Sequence, residues 1–436
     1  MVGAVNDPLP PPLRPILARG EGLHVWDVDG HRYLDAISGS FCVQLGYGRA
    51  DLLRALSDAA GRLPYARPSV FGSEESEAYA RELLEAAGAP YTRVIFTSSG
   101  SEAVDAALKA AYRYQEALGH PERAHTARLR GHFHGATLAA LRVTDYRPRR
   151  APYERMLGGE APAIDAHAGT DLEESLADSA ALIAETIPAA GLGAAVPQPG
   201  FLGRIRRACD AQGALWIADE ALTGFGRTGA LFAWKRLAGR REDSGVTPDI
   251  VVFGKGAGGG YAAIGGILLS QRVASALDLA PGGPFTHVQT YGAHAVACAV
   301  GRRVLSALRE EKLEERVRSM EGALRAALDP LASHPNVLEV RGLGFLWGLV
   351  LRADRGTGAP FPRGLRVAER IEARCRDRGL LIFSGSGSAD GERGDHLLLA
   401  PPLVSDTHHF AQIATLLRQT LEEAIRDTRS PGLSPR

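Results

Sequence analysis

The chain has 436 residues, 45% hydrophobic and 23% charged, with 50 basic against 50 acidic side chains and a formal net charge of zero. That is enough apolar material for a large core in two domains, and the balance leaves no basic excess of the kind nucleic-acid binding needs. Cys42, Cys209, Cys298 and Cys375 lack CxxC spacing and no apolar run approaches the roughly 20 residues of a membrane span, so a reduced, cytoplasmic protein is expected.

The first fifteen residues contain Pro8, Pro10, Pro11 and Pro12 and no basic stretch leading into an apolar core, so they do not read as a signal peptide. From about residue 51 to 271, Ala- and Leu-rich helical patterns alternate with short apolar runs at 94–96, 180–184, 214–218, 250–253 and 264–269. This alternation predicts an α/β fold, a doubly wound sheet with helices on both faces. The first run leads through Thr97-Ser-Ser-Gly-Ser-Glu-Ala103 into an Ala-rich helical stretch. Gly100 would let backbone approach a ligand, the helix N-terminus would suit a phosphate, and Ser99 or Ser101 adds a hydroxyl. A plain helix cap has the same pattern.

Two further runs each deliver a reactive side chain: Ala214-Leu-Trp-Ile-Ala218 ends in Asp219-Glu220, and Asp249-Ile-Val-Val-Phe253 ends in Gly254-Lys255-Gly256. Parallel strands present ligands at their carboxyl ends, so Asp219 and Lys255 are expected at one crevice. Lysine is scarce here, the others being Lys109, Lys235 and Lys312. A desolvated lysine amine attacks carbonyls as arginine cannot, and pyridoxal phosphate needs both that amine and a carboxylate to keep its ring nitrogen protonated. The plainer alternative is a turn-capping Asp219 and a solvated Lys255.

Gly254-Lys-Gly-Ala-Gly-Gly259 also fits GxGxxG, but a dinucleotide site needs a helix next, and the Gly-broken run 260–270 reads as a strand. Residues 290–328 read as strongly helical, leading to a smaller α+β domain from about residue 336. That domain has strands near 337–340, 344–351 and 397–399 and a helix near 365–378. Residues 430–436 read as a disordered tail. His132-Phe-His134 and His408-His409 lack metal-ligand spacing, and no metal is expected.

Eight motifs, in order and spread over nearly the whole chain, resemble the class III (omega) aminotransferases of the fold-type I pyridoxal phosphate enzymes. They are Gly22-Leu-His-Val-Trp-Asp-Val-Asp-Gly-His-Arg-Tyr-Leu-Asp35, Ser98-Ser-Gly-Ser-Glu-Ala103, Phe133-His-Gly135, Ala218-Asp-Glu220, Gly224-Phe-Gly-Arg-Thr-Gly229, Pro248-Asp-Ile250, Gly254-Lys-Gly256 and Thr290-Tyr-Gly-Ala-His294. The resemblance implies a large, mainly parallel, seven-stranded-type sheet domain at 51–300, a small domain at 301–436, and an N-terminal segment 1–50 joining the small domain.

It also implies roles. Lys255 would hold pyridoxal 5'-phosphate as a Schiff base and move the proton during transfer, and Asp219 would pair with the ring nitrogen. Gly100 and Ser101 would hold the phosphate, with Thr290 reaching it from the second subunit of a homodimer. Phe133 and Ala221 would lie against the two ring faces, and His134, Gly135 and Glu185 would form the wall behind. Phe41, in Ser38-Gly-Ser-Phe-Cys-Val-Gln-Leu-Gly-Tyr-Gly-Arg49, would line the substrate pocket.

Departures from the family pattern are Thr186 after Glu185, Ala221 after Glu220, Val288 after His287 and Ala295 after His294. Several relatives that act on alpha-carboxylates carry arginine where this chain has Leu398. Arg393, on the Gly-rich loop 384–394, is the nearest upstream candidate to grip a carboxylate, or else a solvated charge. The expected activity is transfer of an amino group between an omega-amino acid or primary amine and a keto acid such as pyruvate, in a ping-pong cycle. The alternatives are a decarboxylase, epimerase or aminomutase of the same class, or a non-catalytic relative.

Overall fold

The computed structural model describes residues 15–158, 163–166 and 170–428. The proline-rich start before Pro15 and the 430–436 tail lie outside the described residues.

In chain order the strands are β1 Leu17–Glu21, β2 His24–Asp27, β3 Arg32–Asp35, β4 Tyr91–Thr97, β5 Thr126–Arg128, β6 Ala181–Glu185, β7 Leu215–Asp219, β8 Ile250–Phe253, β9 Gly265–Ser270, β10 Val337–Leu343, β11 Leu346–Leu351, β12 Leu380–Leu381, β13 Phe383–Gly385 and β14 His396–Leu399. The longer helices are α1 Ala50–Arg62, α2 Glu74–Ala87, α3 Gly100–Ala117, α4 Phe201–Gln212, α5 Gln271–Asp278, α6 Ala295–Glu310, α7 Leu313–Leu328, α8 Val367–Asp377 and α9 Thr407–Thr428. Among the described residues no helix is long and apolar enough to cross a membrane.

The main sheet runs β4-β9-β8-β7-β6-β5. β5 to β8 are mutually parallel, and β9 is antiparallel to both of its neighbours. β6, β7, β8 and β9 are buried at every residue, which is why they read as continuous apolar runs rather than alternating ones. Successive residues still serve opposite faces. Leu182, Trp216, Val251 and Leu268 join one core, while Ile183, Ile217, Val252 and Ile267 join a second core under α3 and α5. Each large apolar side chain so buried stabilises by about 1.5–3 kcal/mol. Ala103, Ala106, Ala107, Ala110 and Ala111 give α3 a thin face toward that second core.

Six strands of the main sheet lie among the described residues, and one isolated parallel bridge, Leu129 to Ile164, extends its β5 edge. The stretch 290–328 is helical from Ala295 on. Residues 290–293 form a turn, and α6 and α7 are separate because Lys312 between them takes a left-handed φ of 49° that no α-helix continues through. The short strand β5 carried too few apolar residues to be seen in the sequence.

Two small sheets complete the fold, β1-β2-β3-β12 and β10-β11-β14-β13. β12 pairs parallel with β3, Leu380 opposite Leu34 and Leu381 opposite Asp35, so residues 17–35 share a sheet with the C-terminal part of the chain. Beyond β3, Ala36 donates to Leu381 O and its carbonyl accepts from Ala400 N. The loop that follows is thereby held between the C-terminal segment and the main sheet.

Candidate active site

Parallel pairing puts the carboxyl ends of β6, β7 and β8 along one edge. Glu185 and Asp219, the last residues of β6 and β7, are register partners, and Asp219 faces Val252 on β8. β8 stops at Phe253, and Lys255 opens a 3-10 turn that runs to Gly258. Lys255 is half-buried and has φ 40°, left-handed backbone that a non-glycine residue holds only under constraint.

Gly254 explains part of that constraint. A Cβ there would lie 3.1 Å from Gly100 Cα and 3.2 Å from Gly100 N, so the strand end abuts the start of α3. Ser99 caps that helix, its Oγ accepting from Glu102 N at 3.2 Å, while Glu102 Oε2 accepts from Ser98 N at 2.9 Å. The first N–H groups of a helix have no intrahelical acceptor, and here they belong to Gly100 and Ser101. Ser101 Oγ accepts from Ala136 N at 3.0 Å. Gly135 has φ 135° and a Cβ on it would come within 2.6 Å of Ser101 Oγ. Thus Gly135, Ser101 and Gly100 form a backbone-lined cradle at a helix N-terminus, suited to a phosphate.

Asp219 is 5% exposed. Its Oδ2 lies 2.8 Å from His134 Nδ1, and its Oδ1 accepts from Ala221 N at 3.0 Å. His134 is itself pinned, its N–H donating to Thr144 Oγ1 at 3.0 Å. His134 Nε2 is buried with no hydrogen-bond partner among the described residues. Glu185 Oε2 accepts from Phe133 N at 2.8 Å, and Glu185 N donates to His132 Nδ1 at 2.9 Å. Burial and then the neighbouring Asp219 charge push the Glu185 carboxyl up to about 8; the Phe133 N–H, the Lys255 charge and the Ala189 N–H pull against this. Burial and the adjacent carboxylate thus both favour the neutral form of Glu185.

This arrangement fits pyridoxal phosphate. There is a cradle for the phosphate, a buried carboxylate held by a histidine, and a lysine whose charge reaches the same corner. Gly100 and Ala221 also approach closely, since a Cβ on Gly100 would sit 3.3 Å from Ala221 Cβ.

Phe41 is 6% exposed, its ring 5.6 Å from that of Phe383. It lies in a loop with left-handed Ser38 (φ 51°) and Phe41 (φ 66°). Asp35 holds the loop by accepting from Ile37 N at 2.9 Å, Gly39 N at 2.6 Å and Tyr47 Oη at 2.8 Å. Ser38 Oγ donates to Ala400 O at 2.6 Å and accepts from Arg227 Nη2 at 3.0 Å.

Not every expected residue joins this cluster. Thr290 is exposed on the single chain, between exposed Val288 and Tyr291. Arg393 is exposed and bound to Asp390, whose Oδ2 lies 2.7 Å from Arg393 Nε and whose Oδ1 accepts from Arg393 N at 2.7 Å. A carboxylate three residues away thus occupies the guanidinium read as a carboxylate grip. A cavity of about 750 Å³, lined by Leu192, Pro197, Arg240, Arg341 and Trp347 among others, contains none of the expected site residues.

Several contributing residues were not singled out from sequence. Fully buried Glu220 accepts from Thr186 Oγ1 at 2.7 Å, Ala233 N at 2.9 Å and Trp234 N at 2.8 Å, and also from Thr223 Oγ1. Burial raises its carboxyl pKa, opposed by those donors. It fixes the segment after Asp219, and Thr186, noted only as a departure from a pattern, is one of its partners. His132 and Thr144 hold Glu185 and His134 from behind. The available signal was polar residues beside a reactive one, too common to single them out.

The model of the family "Aminotransferase class-III" matches residues 9–421. An uncharacterised aminotransferase of Schizosaccharomyces pombe is 32% identical over 438 residues, covering 94% of this chain and 93% of the relative. An omega-aminotransferase of Caulobacter vibrioides is 31% identical, covering 93% of each chain. Among solved structures, the pyridoxamine-phosphate-bound form of an aminotransferase from Vibrio fluvialis superposes with a TM-score of 0.83 at 26% identity, over 95% of this chain and 93% of that one. With Asp219 ending β7 and Lys255 just beyond β8, the chain belongs to the class III aminotransferases, enzymes that use pyridoxal phosphate.

Proposed function

We propose that the enzyme moves an amino group from an omega-amino acid or apolar primary amine to a keto acid such as pyruvate, in two half-reactions at one site. The observation that carries the donor class is an apolar wall. Phe383 sets its ring at a tilt beside that of Phe41 and pairs across the sheet with Leu398, which is fully buried. An alpha-carboxylate brought against that wall would meet no guanidinium from Arg393, which is bound to Asp390. The likeness to an omega-aminotransferase supports the same class.

Bound pyridoxal phosphate supplies an aldehyde for the amine and a ring that withdraws electrons from the substrate carbon. In this reading the Lys255 amine would hold the cofactor through its aldehyde and, when free, would carry the proton to and from the substrate carbon. Asp219, held by His134, would keep the ring nitrogen protonated. Gly100 and Ser101 would hold the phosphate, Phe133 and Ala221 would hold the ring, and Glu185, His134 and Gly135 would close the site. We further propose a homodimer in which Thr290 of one protomer completes the phosphate site of its partner.

Product analysis tests the proposal. With β-alanine or benzylamine as donor and pyruvate as acceptor, alanine should accumulate in step with loss of the donor amine. Release of carbon dioxide from a carboxylate donor, or inversion of a chiral amine without alanine formation, would overturn it in favour of a decarboxylase or epimerase.

A further inference from the structure

We infer that Gln44 is the positioning residue that sets the turn carrying Lys255. Gln44 is 1% exposed, and its side-chain Nε2 donates to the carbonyl of Gly256, the residue after the lysine. That carbonyl also accepts from Gly259 N at 3.0 Å, so both of its lone pairs are engaged and the peptide plane following Gly256 is fixed from two sides. The amide lies directly on the glycine. A Cβ added to Gly256 would be 2.5, 2.8 and 2.9 Å from Gln44 Nε2, Cδ and Oε1. Beside it, a Cβ on Gly260 would come within 2.7 Å of Val43 Cγ2, so residues 43 and 44 together cover the turn.

The other end of Gln44 is tied down elsewhere. Its main-chain carbonyl accepts from Leu403 N at 2.7 Å, in the segment that follows β14. Gln44 therefore spans from the C-terminal segment to the backbone immediately beyond Lys255. Since Lys255 holds φ 40°, its amine keeps its direction only while the surrounding turn is constrained. The Gln44 amide is one such constraint. Gly254 against Gly100 is another, on the opposite side of the lysine. This inference rests on Lys255 being the residue that performs the amine chemistry.

The test uses cofactor-loaded enzyme. Gln44→Met keeps length and burial but removes the donor. It should lower kcat roughly three- to tenfold, the effect of one lost hydrogen bond, with donor KM nearly unchanged. It should also move the pH midpoint of the visible band of the lysine-bound cofactor. Gly256→Ala, which drives the amide away, should do the same, and the double variant should be no worse than the more affected single one. Gln44→Glu should resemble Gln44→Met at neutral pH and recover toward wild type in acid, where the protonated carboxyl donates again. Wild-type kcat and midpoint in Gln44→Met would overturn the inference, as would a raised KM with unchanged kcat. If Gln44→Met does not fold, Gly256→Ala read the same way decides. Turnover that survived Lys255→Ala would instead remove the reading on which the inference rests, and that is seen in a different protein.

Discussion

His134 Nδ1 sits 2.8 Å from Asp219 Oδ2 at the end of β7, with the histidine side chain fully buried and the aspartate nearly so. The aspartate's other oxygen takes Ala221 N, so its position is set on both sides before any cofactor arrives. In the proposed role, a carboxylate fixed this way would offer its charge to the cofactor's ring nitrogen without reorganising, which is where electrostatic stabilisation is largest. Asp219→Asn keeps the shape and removes the charge. It should lower kcat roughly 100-fold or more with the fold intact by circular dichroism. A change of only a few-fold would dismiss the role given to Asp219.

Glu185, beside Asp219 in the same buried corner, makes a pH prediction. Glu185 is raised well above the ordinary carboxylate range by burial and by Asp219. An acid whose folded pKa lies above its unfolded value binds more protons when folded, so it lowers stability as pH climbs from the unfolded pKa toward the folded one. Denaturant unfolding of the wild type should therefore show stability falling between about pH 5 and pH 8 through this group. Glu185→Gln should flatten that slope. Parallel pH profiles for the two proteins would contradict the assignment.

Gly135 supplies a steric prediction. At φ 135°, with the Ser101 hydroxyl where a Cβ would go, Gly135→Ala forces both strain and displacement of Ser101. It should cost about 1–3 kcal/mol of stability and weaken retention of the cofactor on dialysis against inorganic phosphate. Unchanged retention would mean that Ser101 does not hold the phosphate.

Much of this site was legible because its elements are short and local. The runs ending at Asp219 and before Lys255 are fully buried strands, and buried parallel strands announce themselves as unbroken apolar residues bounded by glycine. Ser99 capping α3 likewise left a local signature. What stayed hidden depends on long-range closure. Gln44 meets Gly256, and Arg227 meets Ser38, across roughly 200 residues, and no periodicity or spacing encodes such a meeting. Arg393, read as a carboxylate grip or else a solvated charge, is exposed and paired with Asp390, three residues away. The three-residue edge strand β5, with one apolar residue, left no signal of its own.

The shared-site dimer has its own test. Thr290, exposed beside Val288 and Tyr291, should become buried when two protomers associate. Sedimentation at equilibrium should give twice the chain mass. Thr290→Ala should raise the rate of cofactor loss roughly tenfold without disturbing association. A monomer that turns over at full rate would rule the arrangement out.

The most direct measurement of the central claim is the near-ultraviolet and visible spectrum of purified, cofactor-loaded enzyme mixed with a single amine donor and no acceptor. The band of lysine-bound pyridoxal phosphate should bleach to that of pyridoxamine phosphate and return when pyruvate is added, and Lys255→Ala should bind cofactor yet perform neither conversion at a catalytic rate. A band that never converts with any amine, or a full cycle in the Lys255→Ala variant, would contradict it.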